Sequence, residues 1–596
     1  MPASESSETV REPSPCPHNS LGGRQRRSTS FSDQIYHLDE LDAQSRYEEE
    51  TADRGIGALH NIRSRTRSRT DETLISWEVD DPENPVDWSN VWLFQPSCFI
   101  LLCNVFTNEE CTVQTKKKLV VLCTSMLVIN STMGSALPSM AIPDITKDFN
   151  ITSEEQSVLP ISVYLIGYVL GPIVWGPLSE HYGRRNLSFV TFCLFTIFTM
   201  ACAVAPSWAA LLIFRFFCGA FASSPIAIVA GILADIYDDP RTRGRAFAIF
   251  MVCTTGGPIL SPILSGFAGP NIGWRWVFWI ALMIAGVTVV LIVFLPETYG
   301  PILLSRRAQK LRKQDPSSRA IAPRDLETTD LRQLLTVVLT RPLRMIIFEP
   351  IVTTTCTYLA LVYAIFYMSF QAFPIIFQDV YGLSPGVTGL AYLPIFGGAA
   401  LSLPIFWTWD NVLARATERN DSWVRREEYR RLPLACLGGP LFVVSLFWLG
   451  WSARGNIPFA VPMLAGILFG MGFLLIFMAM LNYLTDAYEI FAASANAASS
   501  TTRSLFAVVL PLATKPMFRQ LNINGACSLL GGLSALMCFI PFIFIWQGPR
   551  IRARSKFCIA LRDRKVEMQR KEEEAKARKD RYDLIYAEKG KEDEAV

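Results

Sequence analysis

The stretch Gly176-Pro-Leu-Ser-Glu-His-Tyr-Gly-Arg-Arg185 joins two long apolar runs, Ser157–Trp175 and Leu187–Ala205. A helix rises about 1.5 Å per residue, so each run is long enough to cross a hydrocarbon layer roughly 30 Å thick. Glycines in the connection allow two helices to approach closely, and adjacent arginines favour the cytoplasmic side of a membrane. The stretch therefore predicts a short cytoplasmic loop between two membrane-spanning helices.

The distribution of charge indicates a membrane protein rather than a soluble one. Half of the 596 residues are hydrophobic and only 18% are charged, and the charged residues concentrate in the tails and a few loops. The net charge of +3 is uninformative alone, and no nucleic-acid partner is expected. The 14 cysteines are scattered and there are only four histidines, so no metal site is predicted.

Twelve apolar blocks follow Lys118, six on each side of a polar stretch. They cover residues 119–142, 157–178, 187–205, 209–234, 245–268, 274–296, 345–370, 387–409, 432–452, 457–481, 493–517 and 525–547. Helices satisfy all their backbone hydrogen bonds internally, as a lipid environment requires. We therefore predict an all-α membrane protein of twelve transmembrane helices in two six-helix halves, 119–296 and 345–547, joined by a cytoplasmic loop at 297–344.

Basic residues predict the orientation of the chain. They concentrate in alternate loops and in the C-terminal tail, and the intervening loops are nearly free of them. Because basic loops stay on the cytoplasmic side, both termini are expected in the cytoplasm. The sequon at Asn150 then falls on the opposite side of the membrane, where glycosylation takes place.

The two tails differ in composition from the rest of the chain. Residues 1–75 are polar without apolar periodicity and predict a disordered cytoplasmic tail, and 548–596 predict a charged cytoplasmic tail. A pre-membrane segment, 76–118, lies before the first span. Its portion 91–114 has residues at its ends that intron boundaries can encode, so it is either a retained intron of the gene model or a real interfacial insertion. Sequencing of the transcript distinguishes the two.

The connection at 176–185 resembles the signature loop of the major facilitator superfamily, G-x-L-x-[DE]-x-x-G-R-[RK]. The residues that fill the pattern and are expected to form a gate are Gly176, Glu180, Gly183, Arg184 and Arg185. The segment Asn84-Pro-Val-Asp-Trp-Ser89 is similar to the one that precedes the first span in fungal drug:proton antiporters. This resemblance implies the major facilitator fold, with substrate bound between the two halves.

Further motifs of the same family occur in order along the chain. Gly256-Gly-Pro-Ile-Leu-Ser-Pro-Ile-Leu-Ser-Gly266 resembles the antiporter motif of span 5, with two serines in place of glycines. Its characteristic residues are Gly257, Pro258, Pro262 and Gly266. Phe348-Glu-Pro350 in span 7, the end of span 10 and Arg503-Ser-Leu-Phe506 in span 11 also resemble fungal drug:proton antiporters.

Three ionisable residues are candidates for proton coupling. Arg215 matches the arginine of the family's R-x-x-x-G motif in span 4. A charge inside a membrane span is costly, so this side chain is expected to face a cavity or a partner. Glu349 and Asp486 lie at predicted cytoplasmic ends of spans, where gating and proton transfer are competing interpretations. Gln371 stands where relatives frequently have a glutamate, which removes one carboxylate proton carrier.

The remaining polar residues in the spans predict the character of the substrate cavity. Few ionisable groups remain in span centres, so the expected polar contacts are neutral or aromatic: Asn130, Tyr358, Tyr363, Tyr367, Gln371 and Asn482. Such a cavity is expected to be aromatic and weakly polar, and to suit amphipathic organic molecules.

The resemblance implies a monomeric, proton-coupled exporter of drugs or a secondary metabolite, embedded in the plasma membrane. It needs no cofactor, because the proton gradient supplies the energy. A proton symporter for nutrient uptake shares the fold, and the span 5 motif argues against it. A non-transporting sensor would be expected to carry a longer structured extension. Clustered catalytic residues and a phosphate-binding loop are not apparent, so neither an enzyme nor an ATP-driven pump is expected.

Overall fold

A computed structural model describes residues 73–74, 77, 84–85, 113–237, 239–315, 320–322, 331–488, 491–555, 558–559 and 570. The predicted disordered tail, apart from its last residues, lies outside this part of the chain. So do the insertion segment 91–114, apart from its last two residues, and most of the predicted charged C-terminal tail.

The first half of the described bundle is helical throughout. Its helices are α1 (Val113–Ala136), α2 (Ile142–Asp148), α3 (Glu154–Val169), α4 (Gly171–Tyr182), α5 (Arg184–Ala203), α6 (Trp208–Ala222), α7 (Ser224–Ile236), α8 (Pro240–Ile272) and α9 (Trp274–Val293). Helix α1 packs on α8, and α6 packs on both α3 and α5. Proline stands at the first or second position of α7 and α8, where the N–H group that it lacks has no partner in a helix.

The second half follows a polar connection that contains two further helices. These are α10 (Gly300–Gln314) and α11 (Leu331–Phe348), followed by α12 (Pro350–Phe373), a π-helical turn (Pro374–Val380), α13 (Pro385–Leu390), α14 (Leu393–Glu418), a 3₁₀ turn (Ser422–Arg425), α15 (Glu427–Ser452), α16 (Ala460–Tyr488), α17 (Ala492–Val509), a 3₁₀ turn (Leu510–Ala513) and α18 (Thr514–Arg554). Helix α16 packs against both α14 and α15, and α12 packs against α17.

Ten described helices are long and apolar enough to cross a membrane, and an eleventh crossing results if the bent pair α3 and α4 is one span. The last of the ten, 492–553, covers 62 residues, far more than the roughly 20 that one crossing needs. Asn522 interrupts it with φ 56° and ψ 174°. The all-α membrane architecture is confirmed, and the number twelve stays a prediction.

Two boundaries differ from those that the sequence predicts. Span 7 was expected to begin at residue 345, but the helix breaks at Glu349, because the proline at 350 disfavours helical geometry in the preceding residue. The expected loop at 176–185 is mostly helix, since α4 continues to Tyr182. Gly183 alone reverses the chain, with φ 96°, a conformation that favours glycine.

The two halves meet mainly along three helix pairs. Helix α3 of the first half packs on α17 of the second, and α8 packs on α13 and α14. We call the end of the bundle that carries Arg184, Arg241 and Arg431 the basic end. The opposite end carries a cluster of Phe149, Trp208 and Trp274 and is called the aromatic end.

A small parallel sheet stands beside the polar connection between the halves. Thr73–Leu74 pairs with Ala320–Ile321. Trp77 packs against a cluster of Leu304, Ala308 and Ala322. Residues that the sequence assigns to the N-terminal tail and to the next segment therefore contact the connection between the two halves.

Candidate transport site

The basic end of the first half is built around Arg184. Its backbone N–H donates to Glu297 Oε1 at 2.9 Å, and its Nε donates to Asp235 Oδ2 at 3.1 Å. The guanidinium also donates to Ser179 and lies 5.0 Å from the centre of the Tyr299 ring. Arg184 thus joins the start of α5 to the end of α7 and to the segment that follows α9.

The other predicted gate residues surround this centre. Gly183 leaves room for Glu297, since a Cβ there would stand less than 3.0 Å from that carboxylate. Arg185 donates to the Val293 carbonyl at 2.9 Å, and Gly176 lies within α4 with open space beside it. Glu180 is exposed, and the carboxylates that contact Arg184 belong to Asp235 and Glu297, which the sequence analysis does not include among the gate residues.

Replacing Asp235 with asparagine tests the contribution of this ion pair. The change keeps the shape of the side chain but removes the charge beside a largely buried guanidinium, so we expect the free energy of unfolding to fall by about 1–3 kcal/mol. Thermal unfolding of the purified full chain measures this as a lower midpoint. The control is Glu418→Gln on an exposed helix end, and equal midpoints for the two variants would contradict the assignment.

Arg215 lies on α6 with 1% of its surface exposed, and three backbone carbonyls satisfy its guanidinium. It donates to Pro160 at 2.8 Å, to Gly134 at 2.7 Å and to Ser135 at 3.0 Å. The Tyr164 ring centre is 4.5 Å from the guanidinium carbon, an attractive cation–π distance. Arg215 therefore connects α6 to α1 and α3 at a point where both helices expose carbonyl oxygens.

Small residues of the antiporter motif bring α8 close to α1 of its own half and to α13 of the other half. Gly257 lies against α1, and Ser261 donates to the Met133 carbonyl at 2.6 Å. Toward the aromatic end, a Cβ on Gly266 would stand less than 3.0 Å from the Pro385 carbonyl oxygen. Pro262 forms a similar contact through its carbonyl with Gly389. The motif thus makes a backbone-tight contact between the two halves near the aromatic end.

A cavity with about 670 Å³ of empty space, including solvent at its mouth, lies between the halves. Hydroxyl groups on its wall belong to Thr132, Thr254, Thr255, Ser500 and Ser504, and Pro258 of the antiporter motif also faces it. Aromatic residues supply most of the remaining wall, namely Tyr168, Phe250, Tyr363, Phe366, Phe473 and Phe477. One cationic side chain, Arg503, is among the lining residues.

The six residues predicted to contact substrate lie at different places. Tyr363 lines the cavity, and Tyr367 bonds across the halves to Ser135 at 2.8 Å. The others lie elsewhere. Asn130 donates to Thr288 inside the first half, Tyr358 lies near Gly439 inside the second, Asn482 lines a pocket at the basic end, and Gln371 is buried near the end of α12.

Arg503 lines the cavity but is not among the predicted site residues, because its position within a family motif indicates membership of the family rather than a contact with substrate. The expectation of few ionisable groups in span centres overlooks it. The available signal was a single arginine within Ala492–Val509, a helix with no other charged residue. A charge in such a position normally faces the bundle interior or a cavity.

A series of hydrogen bonds and a ring contact joins Arg215 of the first half to Arg503 of the second. Arg215 donates to the Ser135 carbonyl, and the Ser135 hydroxyl pairs with Tyr367. Tyr363 donates to Tyr367 at 3.4 Å, and its ring centre lies 5.7 Å from the Arg503 guanidinium carbon. This series crosses from the first half to the second.

Glu349 and Asp486 both lie at the basic end of the second half. Glu349 is 1% exposed and accepts from Tyr488 at 3.0 Å and from Ser555 at 2.6 Å. Asp486 forms an ion pair with Arg431 at 2.9 Å. These positions tie the ends of α12 and α16 to neighbouring segments.

Asn150 is exposed in the short segment that follows α2 at the aromatic end. Its φ of 56° is one that asparagine adopts more readily than most residues. Nearby, hydrogen bonds from Trp274 and Arg275 lower the pKa of the Asp148 carboxyl. The aromatic end thus combines an indole cluster with a surface ion pair.

Two helical halves, a cavity between them and a close backbone contact at one end are the arrangement expected of a membrane transporter. The model of the Major Facilitator Superfamily matches residues 124–511. The chain therefore belongs to the major facilitator superfamily, whose members are transporters and not enzymes.

Relatives in fungi share most of the chain. An efflux pump of Fusarium oxysporum, FUBT, is 37% identical over 452 residues, which cover 76% of each chain. The efflux pump MFS2 of Trichophyton rubrum is 35% identical over 494 residues, or 82% of this chain and 78% of the relative. A transporter of the citrinin biosynthesis cluster of Monascus ruber is 37% identical, covering 74% of this chain and 88% of that one.

A solved structure shares the fold. The proton:xylose symporter XylE, bound to a bromodeoxyglucose, aligns with a TM-score of 0.51 over 72% of this chain and 95% of its own. The sequence identity is 16%, so the similarity concerns the fold alone.

Proposed function

We propose that the chain exports amphipathic organic compounds, drugs or a fungal secondary metabolite, by alternating access of its two halves. The observation that carries the proposal is the cavity between the halves, with the tight α8–α13 contact toward the aromatic end. An aromatic wall with scattered hydroxyls suits molecules with a large apolar body and a few polar groups. Relatives named as efflux pumps support the outward direction.

Inward proton flow drives this export in our proposal. One charge that moves through 100 mV supplies about 2.3 kcal/mol, enough to sustain a substantial substrate gradient. Arg215 is the proposed coupling residue, because it is buried and joins three helices of the first half. Glu349 and Asp486 are further candidates for proton coupling or for a gate at the basic end, where they contact Tyr488 and Arg431.

The proposed setting is the plasma membrane, with both termini in the cytoplasm. The basic end then faces the cytoplasm, as the distribution of arginines favours, and the Asn150 sequon faces outward. A monomer is the proposed functional unit. The substrate and protons reach the cavity from the two sides of the bilayer in turn.

Accumulation in cells tests the proposal. Cells that lack their own pumps would express the full chain and be given a panel of labelled amphipathic compounds. We expect lower accumulation of at least one compound, and we expect a protonophore to abolish the difference because it removes the driving gradient. Higher accumulation would contradict export and favour the alternative, proton-coupled uptake on the same fold.

A further inference from the structure

Arg503 extends from α17 into the wall of the central cavity, about halfway along the bundle. Its guanidinium carbon lies 5.3 Å from the centre of the Phe477 ring and 5.7 Å from that of Tyr363. Its Nε has no hydrogen-bond partner among the described residues. An arginine in this position retains its positive charge, since guanidinium groups stay protonated in proteins.

In the part of the chain that the structure describes, the surroundings of Arg503 provide no negative charge. None of the described residues that line the cavity is acidic. The carboxylates described above lie toward the two ends of the bundle, where Asp235, Glu349 and Asp486 already have partners. A charge held in a membrane interior without a counter-ion is costly, and its usual partner is another buried charge or a ligand.

Arg503 is the charged donor of the cavity, and the three threonine hydroxyls near it already donate elsewhere. Thr132 donates to Val128 at 2.8 Å, Thr254 donates to Phe250 at 2.8 Å, and Thr255 donates to Met251 at 3.0 Å. Each of these hydroxyls thus donates its hydrogen to a backbone carbonyl of its own helix, so it can only accept a hydrogen bond from a ligand. An anionic group in the cavity finds its charged donor at the guanidinium.

We propose that Arg503 binds the carboxylate of an amphipathic, aromatic organic acid, so that the transported substrate class is organic anions. A guanidinium can form two parallel hydrogen bonds with a carboxylate, which fixes the orientation of the acid as well as its charge. The rings of Tyr363, Phe473 and Phe477 then hold the apolar body. This inference rests on the proposed function, because it specifies the substrate of the same cavity.

Binding to the purified full chain in lipid nanodiscs, with no gradient, tests the inference. Three labelled probes of nearly equal shape differ in charge: naphthaleneacetate is an anion, naphthaleneacetamide is neutral and naphthylethylamine is a cation. We expect the wild type to bind the anion at least about tenfold more tightly than the other two, as one charge-assisted hydrogen bond would give. Equal affinities, or no binding of the anion, would overturn the proposal.

Variants separate recognition of charge from a structural role. Arg503→Gln is expected to weaken binding of the anion by roughly ten- to hundredfold and to change binding of the amide by less than about twofold. Arg503→Lys keeps the charge without the planar fork and should bind the anion with intermediate affinity. Arg275→Gln, which changes an exposed arginine at the aromatic end, is the matched control and should bind all three probes as the wild type does.

If Arg503→Gln weakens binding of the anion and of the amide equally, the residue has a packing role, and the inference is overturned. If that variant fails to fold, the wild-type comparison of the three probes and the Arg503→Lys variant still decide. Failure of export in cells would contradict the proposed function without changing these binding results. Conversely, proton-driven export together with equal affinities for the amide and the acid would support the proposed function and overturn this inference.

Discussion

Arg215→Ala is expected to abolish transport and to destabilise the first half of the bundle. The change leaves the carbonyls of Pro160, Gly134 and Ser135 without their donor. Each unsatisfied buried polar group costs about 1–3 kcal/mol, and the truncated side chain also leaves a cavity. Because Ser135 pairs with Tyr367 of the other half, we further expect the contact between the halves to weaken.

Transport and stability measured together distinguish these effects. Export should fall by at least about tenfold. A loss of about 1.4 kcal/mol in the free energy that couples proton and substrate movement is enough to produce this decrease. The thermal unfolding midpoint of the purified full chain should also fall. Arg215→Lys, which keeps the charge but is less able to serve three acceptors, should recover part of the stability and less of the transport. An Arg215→Ala variant with full export would contradict the role assigned to this residue.

Gly266→Ala is expected to prevent the two halves from closing at the aromatic end. A Cβ there would stand less than 3.0 Å from the Pro385 carbonyl oxygen, and a backbone atom moves aside less easily than a flexible side chain. The closed arrangement should therefore become unfavourable, and export should fall by at least about tenfold. The helix itself should still form, because alanine is the best helix former.

The matched control is Gly286→Ala on α9, where a Cβ would meet open space. It should transport as the wild type does and be equally or slightly more stable. Labelled unnatural amino acids at Ile272 and Phe459, exposed on different halves, report the separation of the aromatic end. The label distance should lengthen in Gly266→Ala and stay unchanged in the control. Normal export by Gly266→Ala would contradict the proposed closure.

Much of the fold is predictable from the sequence, because membrane crossings leave long apolar blocks. The break before α12 was missed, although Pro350 supplies the signal, since an apolar run continues on both sides of it. The helix extends to residue 182, beyond the predicted end of the span at 178. The predicted end falls short because the glycines and charged residues around 179–182 are typical of loops. In the structure, Gly183 alone is enough to reverse the chain.

The site was less predictable, because one sequence does not specify which face of a helix meets the cavity. Asn130 and Tyr358 are polar residues within spans, yet they face the interiors of their own halves. Arg503 was overlooked because its motif suggested family membership before its charge was considered. The acids that hold Arg184, Asp235 and Glu297, come from distant parts of the chain, and only folding brings them together.

Transport by the purified full chain in liposomes tests proton-driven export most directly. The vesicles have an acidic interior, so protons tend to flow outward. A labelled organic anion is supplied outside, and the acidic interior disfavours its passive accumulation inside. We expect the vesicles to take up the anion beyond its equilibrium distribution. This uptake should be absent with a protonophore, with Arg215→Ala and in protein-free vesicles. Uptake only when protons flow inward, or uptake indifferent to the proton gradient, would contradict antiport.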